Sequence, residues 1–163
     1  MSGRDLSKIV HVERMCFEGD AAWDRRDIRL FLKDKASRIL ICETGSQLIG
    51  FMFYRVGSDS FQLWHVAVHP DYRHQGVATE LVNTLAGEMC ESKMCRQRIT
   101  TVVPSSDTSS LRFFDKLGFR AVSIVDGVVT SGDEEAYVML LDPVREPMYI
   151  HRLTRYFREI ALE

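Results

Sequence analysis

The chain has 163 residues, 45% of them apolar and 27% charged, with a formal net charge of −2 at pH 7. That length lets one domain bury a core without disulfide or metal staples. The balanced charge gives no basic surface for nucleic acid. No apolar run approaches a membrane span, and no N-terminal stretch has the shape of a signal peptide, so a cytoplasmic protein is expected.

Leu6, Ile9, Val10, Glu13 and Phe17 fall on one helical stripe, which Gly19 and Asp20 break. A second short helix is expected from about Asp24, with Ile28, Phe31 and Leu32 inward. Residues 38–43 and 47–54 are apolar, β-branched runs joined through Thr44, Gly45 and Ser46, the glycine a hairpin wants. A polar stretch over 55–60 then turns into a third antiparallel strand, 61–68, which ends before Pro70. Past a basic loop, Val77, Leu81, Val82, Leu85 and Met89 mark an amphipathic helix. Residues 96–103 form a further strand that Pro104 stops. Ser105, Ser106 and Asp107 offer N-caps to a helix through Lys116, with Leu111, Phe114 and Leu117 inward and Gly118 closing it. Residues 119–125 and 134–141 pair as a last hairpin across a Gly-rich loop.

Beyond Pro143 and Pro147, the residues Ile150, Leu153, Phe157 and Ile160 recur at helical spacing, which predicts an amphipathic helix over 148–162. Its apolar face would pack on its own domain, on a partner subunit in a homodimer, or near an acceptor groove. The fold class expected is mixed α/β, a mostly antiparallel central sheet flanked by helices. It forms one domain over 1–163, with 142–163 an appended C-terminal helix. Cys16, Cys42, Cys90 and Cys95 form no C-x-x-C pair and read as reduced thiols, and no metal site is expected.

The loop between the third strand and the long helix carries the chemistry. Arg73-x-x-Gly76-x-Ala78 places small residues where a backbone must approach something closely. The helix N-terminus adds unpaired N–H groups and a positive dipole end, a seat for phosphate. The loop has neither the Gly-x-Gly-x-x-Gly of a dinucleotide site nor the Gly-Lys-Ser/Thr of a P-loop.

This loop is similar to the acetyl-CoA motif of the GNAT superfamily of N-acyltransferases, Arg/Gln-x-x-Gly-x-Gly/Ala. Residues 107–119 resemble the same family's Asn-x-x-Ala-x-x-hydrophobic-Tyr-x-x-x-Gly-Phe segment. The order Glu13, Phe17, Trp23 and then a short helix resembles ribosomal-protein-alanine N-acetyltransferases within that superfamily. The resemblance covers residues 5–141. It implies the GNAT fold, acetyl-CoA as cosubstrate, and the coenzyme pyrophosphate over Arg73, His74, Gln75, Gly76, Val77, Ala78 and Thr79. It implies that Val66, Ala67 and Val68 pair with the pantetheine arm, with Asp107 and Phe114 beside it. The two N-terminal helices would flank the acceptor. The implied reaction is direct acetyl transfer to a primary amine, a protein or peptide N-terminus, within a ternary complex. Two other readings stand beside it: a small-amine N-acetyltransferase, and a non-catalytic acyl-CoA-binding regulatory module.

Transfer from a thioester to an amine needs a deprotonated amine, a donor to the carbonyl oxygen, and protonation of the departing thiolate. The family's tyrosine acid falls at Phe114, which has no proton to give. Its asparagine falls at Asp107, which accepts but does not donate when ionised. The acidic base of the ribosomal-protein-alanine enzymes falls at Val102. His65 and Tyr137 are the remaining candidates for proton transfer, each set against its place as an ordinary strand residue. His69 and Tyr72 read as turn and packing residues.

Overall fold

The computed structural model describes residues 3–17, 19, 22–91, 98–126, 135–142 and 156–160. Helix α1 spans Gly3–Cys16 and buries Leu6, Ile9, Val10 and Glu13 of the predicted stripe together with Asp5 and Val12, while Phe17 follows its end half-buried. Helix α2 spans Arg25–Leu32. Asp24 caps it by accepting from the Arg26 and Asp27 amides, and Asp27 accepts in return from the Asp24 amide, a capping box.

Strands β1 (Ser37–Thr44), β2 (Gln47–Val56) and β3 (Ser60–Val68) form the antiparallel meander expected. The first turn is shorter than expected. Thr44 belongs to β1, and Gly45 and Ser46 alone make the connection, with Gly45 at φ +58°. Helix α3 (Val77–Glu91) crosses over to β4 (Arg98–Pro104), which lies parallel to β3. Helix α4 (Thr108–Lys116), capped by Asp107, leads to the antiparallel pair β5 (Arg120–Asp126) and β6 (Glu135–Leu141).

The C-terminal segment corrects the sequence reading. Tyr156–Ile160 is a strand, β7, paired antiparallel with β1 from Ile39↔Ile160 to Glu43↔Tyr156. The rest of the predicted helix, residues 148–155 and 161–162, lies outside the described residues. Phe157 and Ile160 are three apart, which in a strand puts them on opposite faces. Phe157 packs into the core beneath α3, and Ile160 into the core beneath α1. Two faces were available to bury them, so helical spacing was not diagnostic. Arg158 adds an ion pair to Asp5 at 2.6 Å, and Glu159 accepts from the Tyr54 hydroxyl.

The sheet order is β5-β6-β4-β3-β2-β1-β7. Val77, Leu81, Val82 and Leu85 of α3 pack with Phe114 of α4 on one face. Leu6, Ile9, Val12, Ile28 and Leu32 of α1 and α2 cover the other. Each such side chain, fully buried, contributes roughly 1.5–3 kcal/mol.

Three details of the sheet shape the site. First, among the described residues β3 and β4 are paired from Ser60↔Arg98 to Leu63↔Thr101. Beyond that, β3 continues along β2 to Val68, while β4 continues along β6 to Pro104. Second, the β2–β3 register shifts at Trp64, since Leu63 faces Tyr54 but His65 faces Phe53. Trp64 is therefore a bulge, and both it and His65 turn toward the α1/α2 face. Third, Gly50 of β2 lies under the first turn of α3. A Cβ there would stand 2.8 Å from Val77 Cγ1 and 3.2 Å from the Ala67 carbonyl oxygen.

Candidate active site

The open side of β3 is the starting point. Past Leu63 the ladder to β4 has ended, so the main-chain groups of Trp64–Val68 on that side have no strand partner from β4. Such an edge can pair with an extended, amide-bearing chain, and its N–H groups can meet a carbonyl oxygen that gathers negative charge.

The basic loop begins where this edge ends. His69, buried, caps a single 3₁₀ turn over Pro70–Tyr72, its Nδ1 accepting from the Asp71 amide at 3.2 Å. The Tyr72 hydroxyl donates to Gln47 Oε1 at 3.1 Å, and the Gln75 side-chain Nε2 donates to the Asp71 carbonyl at 3.0 Å. His69 and Tyr72 are turn residues, as expected. His74 and Gly76 then take positive φ, 60° and 80°. For histidine this is an uncommon conformation, and it marks a loop shaped for its backbone rather than for its side chains. Arg73, His74, Gln75 and Gly76 are exposed, whereas Val77 is buried and anchors α3 over Gly50. The first turn of α3 thus presents its amides beside the open end of β3. Ala78 and Thr79 are half-buried there.

The Arg73 Nε donates to the Val68 carbonyl at 3.3 Å, tying loop to strand. From the other side, Cys16 Sγ of α1 lies 3.1 Å from the same oxygen. The thiol was read only as a reduced cysteine, and its sequence gives no signal for this contact.

The remaining candidates are spread over both faces. Phe114 is 6% exposed and packs edge-on against Phe113 and Phe119, each at 5.0 Å. Asp107 spends one carboxylate oxygen on the Ser110 amide, 3.0 Å away. Tyr137 sits on β6 opposite Val103, half-buried against the α3-side core. Val102 is exposed on β4. His65 points away from Phe114 and Tyr137, toward α1, where its Nε2 meets the buried carboxylate of Glu13 at 3.0 Å. The structure therefore does not bring His65 and Tyr137 together. No group of three or more metal-ligating side chains exists among the described residues.

Sequence reasoning passed over Gly50, although an isolated glycine inside an apolar strand is the usual mark of close backbone approach. It also passed over the Trp64 bulge, for which composition carries no signal.

Comparison with known proteins fits this geometry. The model of the acetyltransferase (GNAT) family matches residues 6–119. The [ribosomal protein bS18]-alanine N-acetyltransferase of Escherichia coli K12 is 24% identical over 84% of this chain and 90% of its own length. The crystal structure of the E. coli ribosomal-protein-S18-alanine N-acetyltransferase superposes with a TM-score of 0.70 at 22% identity, covering 86% of this chain and 89% of the other. Arabidopsis thaliana Naa50, in complex with a bisubstrate analogue CoA-Ac-MVNAL, gives 0.68 at 13% identity, covering 86% and 94%. These likenesses establish the fold, and the family match spans most of the chain: the protein belongs to the acetyltransferase (GNAT) family and is an N-acetyltransferase.

Proposed function

We propose that this enzyme moves an acetyl group from acetyl-CoA directly to the N-terminal amine of a protein or peptide. The observation that carries the reading is the unpaired edge of β3, which runs straight into the amide-presenting loop. Val66, Ala67 and Val68 would pair with the pantetheine arm, and the amides from His74 to Thr79 would hold the pyrophosphate, with Arg73 beside them. The β3 N–H groups would then donate to the thioester oxygen as it becomes an oxyanion. The amine attacks the carbonyl carbon, the C–S bond breaks, and the amine's proton passes to solvent. The thiolate is protonated in turn.

An N-terminal acceptor suits a site with Phe114 and Val102 where the family has its acid and base. An α-amine titrates near pKa ~8, so a neutral fraction exists at neutral pH, whereas a lysine near ~10.4 needs a base. The relatives that act on ribosomal protein alanine, and the Naa50 complex with a peptide-bearing analogue, support the same class of acceptor. A cytoplasmic location belongs to this reading, and no helix among the described residues is long and apolar enough to cross a membrane.

The test is a product assay by mass with acetyl-CoA and three sets of acceptors: N-terminal peptides, lysine peptides and small amines. Acetylated N-termini are expected. Products confined to small amines would move the enzyme to that acceptor class, as would products confined to lysine side chains. Binding of acetyl-CoA without any product would leave an acyl-CoA-binding module.

A further inference from the structure

Glu13 is the one carboxylate with no exposed surface at all among the described side chains that form ion pairs. Burying a carboxylate is expensive unless its oxygens are hydrogen-bonded, and two elements supply the partners. The Trp23 amide, just ahead of α2, donates to Oε1 at 3.0 Å. The His65 Nε2 lies 3.0 Å from Oε1 and 3.1 Å from Oε2. Aromatic rings wall the pair from water: Phe17 lies 4.3 Å from the imidazole, with Phe53 at 5.7 Å and Trp23 at 5.8 Å.

This arrangement exists only because of the Trp64 bulge. With regular alternation from Leu63, His65 would face α3. The bulge instead delivers the imidazole to α1 at the second residue of the open segment of β3. One carboxylate of α1 therefore grips β3 at the start of that segment, and the Cys16 thiol holds its end at Val68. The same carboxylate fixes Trp23, which borders an open surface depression with Asp27, Leu30 and Phe31.

We infer that Glu13 is a positioning residue for acyl transfer: through His65 and the Trp23 amide it aligns the open edge of β3 with the acceptor side of the molecule. The inference rests on the reading of that edge as the acyl site. A strand paired on one side only has lost half of what holds it. Near-attack geometry tolerates little error, and a misplacement of about 1 Å costs on the order of 10²-fold in rate. Glu13 supplies the missing constraint from the α1 face without touching the donor loop.

The test separates alignment from stability. Replacing a buried polar pair by apolar groups of similar volume is often neutral for folding, so E13M/H65F keeps the core filled while removing the grip. E13Q keeps an oxygen for Trp23 and a donor for a neutral imidazole. Expected for E13M/H65F is an acetyl-CoA Kd within about twofold of wild type, with kcat lower by about 10²-fold. E13Q should recover most of that loss. A double variant that turns over at the wild-type rate overturns the proposal. So does a folded E13Q as impaired as the double variant, since charge rather than alignment would then matter. Hydrogen exchange serves as a readout that needs no acceptor. The amides of residues 64–68 should exchange about tenfold faster in the double variant, those of the first turns of α3 unchanged. Equal exchange at residues 64–68 overturns the proposal. A wild type that acetylates nothing in the panel overturns the function reading alone, and the exchange result still decides this one.

Discussion

Gly76 and Gly50 show two different reasons for a glycine beside one site. At Gly76 there is room for a side chain, since a Cβ would meet nothing nearer than Glu80 Oε1 at 3.8 Å. What excludes other residues is φ +80°, which costs an L-residue roughly 1–2 kcal/mol. Gly76→Glu adds a charged side chain where the phosphate is proposed to sit, and calorimetry should register no acetyl-CoA binding. At Gly50 the backbone angle is ordinary and the space is missing. Gly50→Ala pushes a methyl into buried Val77 and the Ala67 carbonyl, so stability should fall by about 1–3 kcal/mol in denaturant titration. It should also lift the first turn of α3 and weaken acetyl-CoA binding. The first glycine was legible as part of a motif, because loop chemistry is written in local residues. His65 shows the opposite case. Its identity was visible, but its direction depended on a bulge at Trp64 that only the pairing with β2 reveals.

Among the elements, the helices and the meander were legible because caps and periodicity are local. Asp24 was placed at the start of α2 from sequence, and it is the cap. Its carboxyl is held below the ordinary value of 3.8, chiefly by the Asp27 amide and then by the Arg26 amide. The sign follows from that direction. Stabilisation from the ionised cap is complete above the ordinary carboxylate range and is lost as pH falls through the lowered folded value. Asp34, lowered by the Ala36 amide, adds an acid dependence of the same sign. Asp24→Asn keeps a capping oxygen but removes one titrating group. Thermal unfolding should show a shallower fall in Tm on acidification than the wild type, with the Asp34 contribution remaining. The strand β7 was not legible. Five residues that alternate between the two faces of a sheet carry too little pattern to outweigh a helical spacing running from Ile150 to Ile160. Their partner, β1, lies more than a hundred residues away in the chain.

For the whole molecule, the C-terminal strand is a flank of the sheet rather than an added module. Deleting residues 147–163 would uncover the edge of β1 and the pockets of Phe157 and Ile160, with Ile160 alone worth roughly 1.5–3 kcal/mol. An exposed, apolar edge invites pairing with another copy. The truncated protein should lose solubility and Tm, while the fraction that stays folded binds acetyl-CoA with unchanged affinity by calorimetry. Loss of affinity with unchanged light-scattering mass would place the tail in the site.

The short β3–β4 ladder has a consequence for folding as well as for binding. Among the described residues four paired positions stitch the β7-β1-β2-β3 half of the sheet to the β4-β6-β5 half, and past Leu63 the seam stands open. A donor molecule lying in that seam would act as a surrogate strand, hydrogen-bonded where protein is absent, and the sheet would be whole only in its company. Ligand at a hundred times its Kd should then raise unfolding free energy by about 2.7 kcal/mol. Its protection should concentrate on the amides flanking the seam. The cosubstrate would be, for as long as it stays, a structural member of the protein that consumes it.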